Sequence, residues 1–274
     1  MNQISYMNYF QLSLVSVISA LFSYLFLFYL GNYIILYFAY DFDIEAFFDI
    51  SGVHFMQEQL NPLWTFDARL TIFLSKPILS LIIAIISLLL TLIIKNLRVS
   101  VLITLLWLNI FAFNACFGIF IDDIITQKGL FFVVETMELS LGTMILLTAV
   151  TLFFMIRIGM VNATIFSLLL PNKESTKNSI RIIAIIILII IPAIISFVIT
   201  YVLTGIYHNS GVHLKILSSF IIIAVLFFYK GKSIKTARVK ALNITKLDWI
   251  LSLIFLILSV IMYLHMLHPI SLVS

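Results

Sequence analysis

The amino-acid sequence predicts an all-α integral membrane protein: a polytopic bundle of about seven transmembrane helices, N-terminus inside and C-terminus outside. Three observations predict it. The 274 residues are 63% hydrophobic and only 10% charged, with a mean hydropathy of +1.20. Seven apolar runs approach or exceed the length of a membrane crossing, and basic and acidic residues alternate between successive connections. An ordinary soluble domain is about half apolar and a quarter charged. So few polar side chains cannot clothe a water-facing surface on a chain of this length.

A bilayer core about 30 Å thick takes roughly 20 apolar residues as a helix, and backbone groups in lipid must be satisfied within the segment. The runs are residues 11–39, 77–94, 99–121, 138–156, 182–206, 214–229 and 248–267. The first is too long for the hydrophobic part of a signal peptide and lacks a basic start, so it reads as an anchor. In the second, Ser75 is a candidate cap and Pro77 suits a first helical turn, although the apolar run starts as early as Leu70. The sixth, between Lys215 and Lys230, is short enough to be re-entrant. Charge favours a crossing.

With seven crossings, one face holds Lys95, Arg98, Arg157, Lys173, Lys177, Arg181, Lys230, Lys232, Lys235, Arg238, Lys240 and Lys246 against Glu174 and Asp248. The other holds ten acidic residues against Arg69, Lys76, Lys128 and Lys215. The positive-inside tendency makes the first face cytoplasmic, as in a bacterial inner (cytoplasmic) membrane. The net charge of +4 is then a product of topology and gives no reason to invoke nucleic acid. Lys230, Lys232, Lys235, Arg238 and Lys240 form a basic loop suited to anionic lipid or a partner.

The whole chain reads as one transmembrane domain without a soluble domain or an internal transporter-type repeat. Two apolar pieces outside the spans, Phe47 to Leu60 and Val161 to Leu170, are expected to lie flat in the interface. Cys116 is the single cysteine, which rules out an intrachain disulfide. HExxH, GxSxG, Walker A and GxGxxG patterns are all missing from the sequence. Asp41, Asp43 and Glu45 imitate the start of a calcium loop, but Ala46 and Gly52 stand where it needs glycine and glutamate.

Polar residues within apolar runs are the remaining signals. Ser13, Ser16, Ser19 and Ser23 share one face of the first span, as in a helix-packing seam. Asn109 and Asn114 belong in the bundle interior, because an amide in lipid needs a partner. Pro192 is expected to kink the fifth span, with Ser196 or Thr200 compensating the backbone. Together Asn109, Asn114, Thr143, Thr148 and Pro192 would line the path of a small solute. Asp122, Asp123, Glu135 and Glu138 are candidates for a weak divalent-cation site, joined by His265 and His268. All five histidines fall on the outer side in this topology.

These features support three functional expectations. The leading one is a non-catalytic subunit or scaffold for membrane-protein or lipid partners, including further copies of the chain. The second is a small-solute transporter with a midplane polar site. The third is a membrane enzyme using the outer carboxylates and histidines.

Overall fold

The computed structural model of the chain describes residues 6–58, 61–94, 97–127, 129–170, 178–204, 218–229 and 244–272. The protein is an all-α polytopic bundle carrying a small sheet. Among the described residues, six helical spans, Tyr9–Asp41, Phe66–Ile93, Val99–Thr126, Leu141–Leu169, Arg181–Val202 and Lys246–Met266, are long and apolar enough to cross a membrane. It is an integral membrane protein whose outward helix faces meet lipid. The basic loop from Lys230 to Lys240, together with His208 and His213, lies outside the described residues.

Helix α1 (Tyr6–Asp41) leads into an antiparallel hairpin, β1 (Ala46–Asp49) and β2 (Gly52–Phe55). A third strand, β3 (Ile270–Ser271), pairs with the other edge of β1, placing Phe48 opposite both Val53 and Ile270. The expected interfacial piece Phe47 to Leu60 is therefore corrected: its first half is this hairpin. The alternation of buried Ala46 and Phe48 with half-buried Phe47 and Asp49 fits a strand with one covered face. Phe48 packs with Ile44, Leu36, Trp64, Ile72 and Met266 beneath the sheet. Strand β3 thus lies at the same end of the bundle as the C-terminal end of α1.

Helix α2 (Phe66–Ile93) begins well before the expected span. Thr65 is its cap, accepting from the Ala68 N–H at 3.2 Å, and Asp67 sits in the positive first turn. Pro77 consequently lies inside the helix, and Ser75 is not a cap but donates to the Ile72 carbonyl at 2.7 Å. Lys76, counted above among the outer-loop charges, stands within the apolar span.

Helix α3 (Val99–Phe113) runs into a π-helical segment, Asn114–Gly118, and then into α4 (Ile119–Thr126). It is the axis of the bundle: nearly every residue of α3 is buried, whereas most of Lys246–Met266 is not. Short α5 (Leu130–Thr136) precedes α6 (Leu141–Phe166), which is capped by Ser140 accepting from Thr143 N–H at 3.2 Å. The piece Val161 to Leu170 continues α6 and closes in a 3-10 turn, Ser167–Leu169, rather than lying apart in the interface. Arg157 does not interrupt this helix because it lies on an exposed face, where a long stem can reach toward water.

Helix α7 (Asn178–Ile185) joins α8 (Ile191–Thr204) through a second π segment, Ile186–Ile190. Pro192 cannot bond the carbonyl four residues earlier, that of Leu188. Ser16 supplies the missing donor at 2.6 Å, and Trp107 Nε1 in turn donates to Ser16 Oγ at 2.7 Å. The compensation comes from α1 and α3, not from Ser196 or Thr200; Thr200 donates instead to the Ser196 carbonyl.

Short α9 (Ser219–Phe228) is pinned at both ends. Ser218 donates to Asp122 at 3.0 Å, and the buried Arg181 guanidinium donates to the Leu226 and Tyr229 carbonyls. Final helix α10 (Lys246–Met266) starts with a capping box between Thr245 and Asp248. Asp248 also accepts from Ser100 Oγ at 2.7 Å, so α3 and α10 start at the same end of the bundle, away from the sheet.

Candidate functional site

Among the described residues, a chamber of about 570 Å³ lies at the sheet end of the bundle, partly open. Its walls come from α1, α2, α5 and the run from α3 through the π segment to α4, with the Ser51–Val53 turn and Phe55 of the hairpin completing them. Rings of Tyr24, Phe28, Phe55, Phe73, Phe111 and Phe132 make most of the lining apolar. A few polar groups interrupt it. An apolar concavity of this size with a few placed polar groups is the usual form of a small-molecule site.

The polar part is assembled by helix geometry. Asn32 lies two turns beyond Tyr24 and one beyond Phe28 on a common face of α1, and all three line the chamber. Lys76 approaches from α2, donating to Asn32 Oδ1 at 2.9 Å with its ammonium 5.3 Å from the Phe28 ring centroid. Gly31 makes room for this contact, since a Cβ there would stand 2.9 Å from both Cγ and Cε of Lys76. An ionisable side chain within a spanning helix that faces the bundle interior is costly to bury and marks a functional site by default.

Asn114 enters the wall from the π segment, where a wider turn is common at functional positions. Gly118 lets it pack closely; a Cβ would lie 2.2 Å from Asn114 Oδ1 and 2.8 Å from Ser218 Oγ. Asp123 lines the chamber too, but its Oδ2 accepts from the Leu130 N–H at 2.9 Å. At Gly129, where φ is +57°, a Cβ would be only 2.3 Å from that oxygen, so glycine is required both for the turn and for the carboxylate.

The other residues expected on a solute path are placed elsewhere. Asn109 is buried on α3 and donates to Ala84 O and Ser87 Oγ, each at 3.1 Å, tying α3 to α2. Thr143 belongs to the α6 cap, and Thr148 donates to the Met144 carbonyl of its own helix at 2.9 Å. Pro192 belongs to the packed Ser16 and Trp107 network. Of the serine row, Ser16, Ser19 and Ser23 are buried; Ser19 shares a hydrogen bond with Thr104 Oγ1 at 2.9 Å, and Ser23 donates to the Thr104 carbonyl at 3.4 Å. Ser13 is only half-buried.

The six residues of the cation expectation are not brought together. Among the described residues, no three His, Cys, Asp or Glu side chains converge on a metal-sized site. Asp122 is engaged by Ser218 and Asp123 by the α5 turn. Glu135 and Glu138 are exposed, and Glu138 lies past the end of α5 with φ +52°, so they share no helix face. His265 is exposed, its Nδ1 pairing with the Tyr29 hydroxyl at 3.0 Å; His268 is exposed beyond α10.

Ser51, in the chamber wall, lies 2.7 Å from His54 Nε2 and donates to Asp49 Oδ1 at 2.5 Å. Asp49 contacts the same imidazole nitrogen at 3.3 Å. A Ser-His-Asp relay needs the carboxylate on the opposite ring nitrogen, so this cluster is a turn clasp and not that relay. Burial raises the Asp49 carboxyl, but the Ser51 hydrogen bonds and the neighbouring imidazole outweigh it and hold the group below its ordinary range.

Comparison with protein-family models, with curated proteins and with solved structures gives no match to this chain.

Proposed function

We propose that the protein is a membrane-embedded solute-binding protein of transporter type, with the chamber at the sheet end as its binding site. The observation that carries this reading is Lys76: a charged side chain inside an apolar span, held by Asn32 at 2.9 Å in the wall of a cavity large enough for a small molecule. A purely structural lysine would be an expensive way to fill that space. Irregular helix beside the chamber, the Asn114–Gly118 segment, adds support, since nonideal backbone at membrane depth is tolerated where it borders a cavity. The bundle is oriented with the N-terminus inside, on the charge division of its connections.

The test is co-purification. The full chain is extracted in mild detergent, washed, denatured and examined by mass spectrometry for released small molecules, in parallel with Ala115→Phe, which fills the chamber. A molecule released from the wild type and lost from a folded Ala115→Phe supports the reading. Identical release from both, or no release and no solute-dependent flux in proteoliposomes across a panel of organic solutes, overturns it.

The scaffold reading draws on a different observation. Ile250, Leu253, Ile257, Ile261 and Leu264 of α10 are all exposed, forming a face that lipid or a partner helix would cover. A single monomeric mass in several detergents would assign that face to lipid.

A further inference from the structure

Asn32 is only 3% exposed and lines the chamber, and among the described residues its Nδ2 has no hydrogen-bond acceptor. The orientation of the amide is fixed by chemistry. Lys76 Nζ can only donate, so the atom 2.9 Å away must be the carbonyl oxygen, which turns the NH2 to the other side. A buried amide N–H without an acceptor carries a desolvation penalty that a bound acceptor would relieve. Beside it stands the Lys76 ammonium. Both residues belong to the chamber wall, where the positive charge stands next to a lining dominated by aromatic rings.

Resting on the reading of the chamber as a solute site, we propose that its occupant is a small amphipathic anion. A carboxylate or phosphate accepts from Asn32 Nδ2 and from Lys76, and an apolar body lies among Phe73, Phe111 and Phe132. Hydrogen bonds in which both charge and geometry match are about twice as strong as neutral ones. A neutral amphiphile would fill the aromatic part but gain little from the ammonium. A cation would meet Lys76 with like charge. Asp123, the acidic side chain in the same wall, accepts from the Leu130 N–H and packs against Gly129.

The experiment uses the full chain in zwitterionic nanodiscs and four probes sharing one ten-carbon tail: decanoate, decyl phosphate, decanol and decyltrimethylammonium. The unfolding midpoint is followed against probe concentration, since a ligand specific for the folded state raises it. At least one anion is expected to bind ten-fold or more tightly than decanol, with decyltrimethylammonium weakest; the better anion assigns the head group. Asn32→Asp is isosteric and gives Lys76 a permanent carboxylate, so it should abolish the preference for anions over decanol. Should that variant not fold, the four-probe series on the wild type still decides. Equal or tighter binding of decanol or the cation overturns the anion assignment and leaves the chamber as a binding site. No shift with any probe also overturns it, and the chamber reading then stands or falls separately on the Ala115→Phe co-purification.

Discussion

At the residue scale, the decisive groups are polar side chains whose neighbours are specified to within one methyl group. Gly31 holds the stem of Lys76, so Gly31→Ala should push the ammonium away from Asn32 by moving a flexible chain and not a backbone. Its expected outcome is weakened binding of the chamber's solute. Ser16 sits between Trp107 and the carbonyl that Pro192 leaves unpaired; Ser16→Ala should cost about 0.6–1.7 kcal/mol in reversible unfolding, between the average and the largest value for an interhelical bond in a membrane. Asp49 gives a pH-dependent prediction. Its carboxyl is lowered in the fold, so its contribution is present above an unfolded value of about 3.9 and disappears as pH falls through the lower folded value. Asp49→Asn should remove that acid sensitivity from the hairpin, as read by hydrogen exchange at Ser51 and His54. Asn114 is visible in the sequence as an amide inside an apolar run, and the same argument applied to Asn32 would have flagged it. Lys76 was hidden because a lysine next to a proline resembles the edge of a span.

At the scale of elements, hydropathy and length reveal the long helices, while their starts depend on caps. Thr65 and Asp67 start α2 one residue after the cap, ten residues before Lys76, which carries that lysine about 15 Å along the helix. The hairpin escapes local reading because β1 is completed by β3, a strand from the far end of the chain. Likewise, the compensation of Pro192 comes through Ser16, 172 residues from Leu188, and no periodicity within the fifth span announces it. The short α9 rests closely on α6. A Cβ on Gly159 would lie 2.7 Å from Val225 Cβ and 2.9 Å from the Ile222 carbonyl, which cannot move aside as a side chain can. Gly159→Ala should therefore separate the pair and destabilise by about 1–3 kcal/mol, lowering the unfolding midpoint, whereas Gly142→Ala, with only Ser140 Oγ nearby at 3.8 Å, should be close to neutral.

For the whole molecule, a buried axis in α3, an α10 with a broad exposed face and a chamber beneath a small sheet make one arrangement: a tight packing core at one level and a cavity at another. The two asparagines of α3 and its π continuation fall on opposite sides of that division. Asn109 is locked between helices, while Asn114, five residues on, borders the cavity. Composition and charge make the membrane class legible, but a cavity is a property of helices from distant parts of the chain meeting imperfectly, and a single span carries no record of it. The most direct test is cysteine accessibility in a Cys116→Ser background, comparing Asn114→Cys with Asn109→Cys in intact membranes. A small anionic methanethiosulfonate reagent is predicted to modify Asn114→Cys, faster than its cationic counterpart because of Lys76, and to leave Asn109→Cys untouched. Equal modification of both positions, or none at Asn114→Cys, would contradict the account.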